Sequence, residues 1–314
     1  MSISLNSLFK AESMSRQSFH QKLNRSLKYD QQEHEIALII SRVREDHPTL
    51  CCRLMYHMIQ PECMGRDAFE DLCRRHGFAS KRKVNFHRTT YSIDEGRFEN
   101  LIENLSLTSI DQVWSSDITY YRIKEDFYYI TFIMDNYSRR ILGHAVSKRL
   151  LTEQTTLPAL KQAIKIRKYQ IGEGLIFHSD GGGQYYDKHF LALTRTYKMK
   201  NSMCEMAWEN GKAERINGVI KNNYLRHWKA DNEQMLRTNV ERAVNLYNLQ
   251  KPHTGIKKKT PIGLENELVL QPQTRPKMKE SFDAKIEISG ASSPRKSLQT
   301  RPQNQDVFST KSSV

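Results

Sequence analysis

The chain has 314 residues, enough for one large domain or two smaller ones with a sizeable core. Its net charge is +14 and its pI about 9.5, which suits a polyanionic partner. No apolar run reaches membrane-spanning length and no secretory leader is evident, so a membrane class is excluded and a cytoplasmic location is expected. The five cysteines (Cys51, Cys52, Cys63, Cys73 and Cys204) are odd in number and form no Cys-x-x-Cys pair. Zinc ligation is therefore not expected even with His57 and His76 nearby, and reduced, buried thiols are.

The first ~30 residues are polar, with Met14 to Phe19 able to open a short helix. A clearer helix carries Ile36, Ile39, Ile40 and Val43 at helical spacing and ends at His47-Pro48, because the residue before proline disfavours the helical region. A second helix carries Leu50, Leu54, Met55, Met58 and Ile59 and stops near Pro61. A third starts near Arg66, turns Phe69, Leu72 and Cys73 inward, and has Gly77 as its C-terminal stop. The basic segment Lys81-Arg82-Lys83 follows. Three short helices before a basic stretch fit a helix-turn-helix-like DNA-binding unit, and fit equally a small bundle packed on the next domain.

From about Ser109 the pattern becomes β. One strand holds Asp117, a second runs Phe127 to Met134 and a third Ile141 to Val146. A helix over about Thr156 to Arg167 turns Leu160, Ala163 and Ile164 inward, with Pro158 in its first turn. Strand Leu175 to Phe177 leads to Asp180 and three glycines. A helix over Lys188 to Tyr197, a short strand near Ser202 and a helix opening at Asn210-Gly211 with Glu214 follow, then a helix over about Asn232 to Tyr247. Three antiparallel-type strands followed by alternating helices and strands indicate a mixed α/β domain. After Gln271 the sequence is polar and poor in large apolar residues, as disordered segments are.

Two acids at strand ends and one on a helix can converge on hard divalent cations, which take oxygen ligands. Asp117, Asp180 and Glu214 are thus the candidate metal ligands and catalytic residues for two-metal phosphoryl transfer. Lys221, seven residues after Glu214, shares its helical face and can meet a phosphate; its alternative is a solvated lysine. Asn217 lies one turn from Glu214. His178 either orients Asp180 or contacts DNA, or is a packed structural histidine. Asp135 reads as structural rather than as a fourth ligand. Ser179 has no base partner at a recognisable spacing, which excludes a serine nucleophile.

The ordered segments Trp114-Ser115-Ser116-Asp117-Ile118-Thr119-Tyr120, Asp135 to Arg139, His178 to Tyr185, Asn210 to Arg215, Tyr247-Asn248, Lys251-Pro252-His253 and Thr260-Pro261 resemble an insertion-sequence transposase with a retroviral-integrase-type (DDE) catalytic core, of the kind whose catalytic part is a second reading frame. The resemblance spans about Ile36 to Glu265. No His-His-Cys-Cys zinc module precedes the core, which argues against a retroviral integrase proper. The resemblance implies an α/β, ribonuclease-H-like core over 108–270, a small helical region with its basic linker over 1–107, and a polar tail over 271–314. It also implies metal-dependent 3′-end cleavage and strand transfer, with Asp117, Asp180 and Glu214 holding two Mg²⁺ ions, for which Mn²⁺ can substitute. Lys221, Asn217, Arg215, Lys81, Arg82 and Lys83 would contact DNA. Element ends and target DNA, a homo-oligomer on DNA and an upstream-frame partner protein are the implied partners, with no membrane, and the implied setting is the nucleoid. The alternative is a non-catalytic DNA-binding protein that retains the core.

Overall fold

Strand alternation builds the centre of the molecule. The computed structural model describes residues 5–80, 98–169, 171–204 and 211–270. Five strands form one mixed sheet in the order β3-β2-β1-β4-β5: β1 Val113–Ile123, β2 Asp126–Asp135, β3 Ile141–Ser147, β4 Ile176–Ser179 and β5 Lys200–Met203. β2 runs antiparallel to both β1 and β3, whereas β1, β4 and β5 are parallel. This is the ribonuclease-H-like arrangement.

Both faces of the sheet are covered, so its strands read as nearly continuous apolar runs. On one face Trp114, Ile133, Leu142 and Phe177 pack against α5 (Thr156–Ile166) and α6 (Lys188–Thr196). On the other Ile130, Phe132 and Met134 pack against α7 (Gly211–Ile220) and α9 (Glu233–Leu249), with the short α8 (Arg226–Trp228) between those two in the chain. Ile133 and its neighbours in β2 point to opposite faces, as the two-residue period requires. At Gly143 the α5 backbone comes so close that a Cβ would overlap the Ala159 carbonyl.

The helical region holds α1 (Leu5–Ala11), α2 (Arg16–Asp46), α3 (Cys52–Ile59) and α4 (Arg66–Arg75). Instead of a short helix followed by a separate one, α2 is continuous for 31 residues, with the Ser15 side chain accepting from Ser18 N at its start. Ile36, Ile40, Met55, Phe69, Leu72 and Cys73 form its shared core with α3 and α4. Ile39 does not join them; one residue from Ile40 on a helix it turns about 100° away and is 45% exposed. Cys73 and Cys204 are buried as expected, but Cys51 and Cys63 are exposed, since both lie in the connections that flank α3 rather than on a packed face. The C-terminal end of α2 docks on the core. His47 Nδ1 lies 3.2 Å from the Tyr224 hydroxyl, Asp46 pairs with Arg242 at 2.7 Å, and Trp228 Nε1 donates to the Glu45 carbonyl.

The polar tail and the Lys81-Arg82-Lys83 segment lie outside the described residues. Neither α1 nor α10 (Pro261–Leu270) had a counterpart in the periodicity, and α10 is the longer. It is held by charge more than by an apolar stripe. Arg167 forms a two-pronged pair with Glu265, both contacts at 2.8 Å, and donates from Nε to Asp111 at 2.7 Å. Arg140 and the Ser138 hydroxyl also donate to Glu265. Asp135 is fully buried and accepts from the backbone N–H groups of Asp111, Tyr137 and Ser138, which makes it structural. Burial alone would raise the Glu265 carboxyl, yet Arg167 outweighs it and the net direction is down.

Removing one partner of a buried ion pair strands the other, at a cost of about 3–5 kcal/mol. Arg167→Met should therefore lower unfolding free energy by roughly that amount in urea titrations, and Arg167→Lys, which keeps the charge but loses the planar fork, by less. A loss under about 1 kcal/mol for the methionine variant would mean that the network contributes little.

Candidate active site

Asp117, Asp180 and Glu214 come from three separate segments, and the sheet decides where two of them sit. β1 and β4 pair in parallel over only three residues, Val113 to Ser115 against Ile176 to His178. Asp117 lies two residues beyond that pairing on β1, and Asp180 directly follows β4. The two strands part there, and a crevice at the carboxyl ends of parallel strands is where α/β sheets place ligands.

Asp117 Oδ1 accepts from Ile118 N at 2.9 Å, and Asp117 Oδ2 from Asn217 Nδ2 at 2.6 Å. Asp180 Oδ1 accepts from Gly182 N at 3.2 Å. Gly181 has φ +78°, and a Cβ there would collide with the Met203 side chain, so this turn needs glycine. The Tyr186 hydroxyl contacts Met203 Sδ at 2.6 Å, and the Tyr186 ring stacks on Phe98 at 5.3 Å, which closes the loop from below.

Glu214 is exposed on the first turn of α7. That helix crosses β1 with a matching face: Asn217 reaches Asp117, and one turn later Lys221 Nζ donates to Thr119 Oγ1 at 3.0 Å. Residues 117 and 119 share one side of the strand, as residues 214, 217 and 221 share one side of the helix. Lys221 also lies 4.6 Å from the centre of the Tyr120 ring. Its first turn onward, Lys221–Leu225, is a π-helix, a form that recurs at functional sites.

Electrostatics tie the three acids together. Burial, then the charges of Asp180 and Glu214, push the Asp117 carboxyl up to about 7. Burial also raises Asp180. The buried Tyr185 hydroxyl, bonded to Ser116 Oγ at 2.8 Å beneath the site, is raised by burial and by both aspartates. The three carboxylates nevertheless do not all lie within 4.8 Å of one another. Among the described residues, three potential ligands that do are Glu153, Asp187 and His189, a surface group separate from this site.

A hard divalent cation fits the carboxylates on two counts. All three are oxygen donors, and each carboxylate oxygen keeps a lone pair after one hydrogen bond. A positive charge would also relieve the repulsion from Asp180 and Glu214 that adds to burial in lifting Asp117. Asn217 Oδ1 is in addition a buried oxygen acceptor with no hydrogen-bond partner among the described residues.

Of the other sequence candidates, His178 is fully buried, bonded through Nδ1 to Ser202 Oγ at 3.0 Å and pushed down to about 4 by burial. It packs between strands as a neutral ring and faces no solvent. Arg215 is exposed. Its charge acts on Arg139, Lys251 and His253, and all three have their protonated forms disfavoured by burial first. Lys212 belongs to the same basic group, lowered to about 6 by burial and by Arg139. Sequence reading had quoted the segments containing these residues without giving Arg139, Lys212, Lys251 or His253 a role. It also missed Thr119, which the strand period of two places beside Asp117.

The integrase core domain family matches residues 108–207, and a second integrase core domain family matches residues 196–261. The insertion element IS600 31 kDa protein of Shigella sonnei is 28% identical over 76% of this chain and 88% of its own. Transposase InsF for insertion sequence IS3A of Escherichia coli is 32% identical over 41% of this chain and 45% of its own. The HTLV-2 integrase catalytic core domain, solved in complex with magnesium, aligns over 49% of this chain and 95% of its own at 24% identity and a TM-score of 0.40.

The raised Asp117 has a consequence for stability in metal-free buffer. The folded form holds its proton up to about pH 7, while the unfolded chain releases it near pH 4. Folding stability should fall as pH rises across that window, at about 1.4 kcal/mol per pH unit at most. Asp117→Asn should therefore be more stable than the parent at pH 8 with EDTA and show no such advantage at pH 4. Equal stability of the two proteins at pH 8 would show that neither burial nor the neighbouring acids raise Asp117.

Proposed function

We propose that this chain, which belongs to the integrase-core family with the insertion-sequence transposases, is a metal-dependent polynucleotidyl transferase that moves DNA. The observation that carries this reading is the placement of the three acids: Asp117 and Asp180 where β1 and β4 part, and Glu214 on the helix whose Asn217 holds Asp117, with the charges of Asp180 and Glu214 adding to burial in raising Asp117. Water attacks a phosphodiester at an element end and frees a 3′ hydroxyl. That hydroxyl then attacks a phosphodiester of the target, one P–O bond forming as another breaks, with no covalent enzyme intermediate. Two Mg²⁺ ions held by the three carboxylates, when bound, would supply activation of the attacking oxygen and stabilisation of the leaving one.

The chain's own residues do the positioning. Asn217 fixes one oxygen of Asp117 and Gly182 N fixes one of Asp180, so both carboxylates keep set orientations. Lys221, held at Thr119 beside Asp117, is suited to the phosphate next to the reacting bond. Arg215, exposed on α7, with the partly buried Arg139 and Lys251 in the same basic group, offers positive charge for the DNA backbone, while Lys212, lowered to about 6, is largely neutral near pH 7. Lys81, Arg82 and Lys83 extend this reading outside the described residues, as do the domain limits at 107 and 270. A homo-oligomer on DNA and an upstream-frame partner complete it.

Asp117→Asn, Asp180→Asn and Glu214→Gln should each abolish cleavage and joining of element-end DNA with Mg²⁺ while DNA binding persists. Asn217→Ala, which loosens a ligand without removing it, should cost about 10–100-fold in activity. Lys221→Ala should weaken binding evenly across DNA sequences and lower the salt slope by roughly one unit. Full strand transfer by any of the three carboxylate variants would sink the assignment of that residue. DNA binding with no cleavage by the parent protein at any divalent ion would favour a non-catalytic DNA-binding protein instead.

A further inference from the structure

The helix α2 has two faces, and only one is used. Ile36 and Ile40 face the core of the helical region. Leu23, Leu27 and Leu38, at 41%, 57% and 59% exposure, lie on the opposite side. With His34 they fall within about 60° on the helix, about 150° from the buried stripe. Residues 20–31 are exposed throughout. A 31-residue helix is about 46 Å long, so this part projects as a rod carrying leucines in water. Exposed apolar stripes of this kind mark interaction surfaces.

The sequence of the stripe identifies what covers it. Place a two-fold axis between Asp30 and Gln31 and lay a second α2 antiparallel across it. Leu23 then meets Leu38 of the second copy, Leu27 meets its His34, and Arg16 meets its Glu45. Every contact occurs twice, as an isologous interface requires. Arg16 and Glu45 are both exposed and at opposite ends of the stripe, so opposite charges close each end. The parallel arrangement fails on the same residues. It sets Asp30 against Asp30 and Arg16 against Arg16, and like charges face to face are destabilising. A single partner helix from another protein would not need the stripe to complement its own reverse.

We propose that α2 is a self-association surface, through which two copies of this chain pair antiparallel by Leu23, Leu27 and Leu38. The proposal does not depend on the catalytic reading.

Sedimentation equilibrium of the full chain tests this. The parent should show a concentration-dependent dimer. Leu27→Glu should weaken association by at least about tenfold, the equivalent of about 1.4 kcal/mol, with far-ultraviolet circular dichroism unchanged because Leu27 is already exposed. Ile39→Glu, an exposed apolar position off the stripe, should leave the mass as it was. The sharper arm uses charge reversal. Arg16→Glu alone and Glu45→Arg alone should each associate more weakly than the parent, since each sets like charges together twice. An equimolar mixture of the two should recover the dimer, since both contacts then become attractive. A monomeric parent, an unchanged mass for Leu27→Glu, or a mixture no stronger than its components would overturn the proposal. So would charge variants that change DNA affinity and not mass, which would make this a DNA-facing surface.

Discussion

The structure depends on how little β1 and β4 share. Three paired residues lock the centre of the sheet, and the strands then separate. The length of that pairing sets the distance between Asp117 and Asp180, and the antiparallel β1–β2 ladder, which continues to the hairpin, keeps β1 straight through the split. Had β4 paired beyond His178, Asp117 would face a hydrogen-bonded neighbour strand instead of a crevice. The turn after Asp180, with its positive-φ glycine against Met203, diverts the chain at the point where pairing must stop.

Bringing three acids to such a crevice is unfavourable in itself. The fold opposes that repulsion with directed donors, and with Lys221, which is held at Thr119 and whose charge acts on Asp117 without pairing to it directly. Ile118 N and Asn217 occupy Asp117, and Gly182 N occupies Asp180. Positive charge is placed along α7 to either side, at Lys221 and at the basic group around Arg215. A salt bridge directly to an aspartate would neutralise the site and compete with any cation for its oxygens. The contrast with Glu265 is instructive. That buried acid is paired to Arg167 and Arg140, sits below its ordinary range and holds a helix in place. Asp117 is lifted instead. Direction of shift does not by itself mark a catalytic acid, since the structural Asp135 is also raised by burial; what differs is that Asp117 keeps oxygens facing the crevice while Asp135 is enclosed by backbone donors.

The strands, α5, α6, α9 and the placement of Asp180 were legible because their signals are local: apolar runs, proline and glycine stops, and an acid just after β4. Asp117, expected at a strand end, instead lies within β1, which runs on to Ile123 because it stays paired with β2. Other features were not, for identifiable reasons. α10 carries Pro261 and Gly263 and lacks an apolar stripe, and what fixes it is Glu265 meeting Arg140 and Arg167 across a long stretch of chain. The length of α2 was hidden because its first half buries nothing, so no core-facing period marks it. Asp135 could be read as structural, but its backbone partners depend on the turn that follows. His178 sits beside a catalytic candidate in sequence and points into the sheet, where strand pairing with Ser115 and Ser202 surrounds it.

The π-helix after α7 joins these strands of the argument. Lys221 opens it and Tyr224 and Leu225 close it, so a single irregular turn presents a cation to Thr119 on one side and buries an aromatic ring on the other. In a regular helix three residues at about 100° each would set Tyr224 only about 60° from Lys221, and the wider π turn opens that angle. The buried Tyr224 hydroxyl then needs a partner. It finds His47, the residue that terminates α2 before Pro48, and His47 in turn reaches Gln250 beyond α9. Burial lowers the His47 ring, which favours the neutral form that can share a hydrogen bond with a phenol. The helical region is thereby seated on the turn next to Lys221, and the stop signal that ends α2 in the sequence also supplies the group that anchors it.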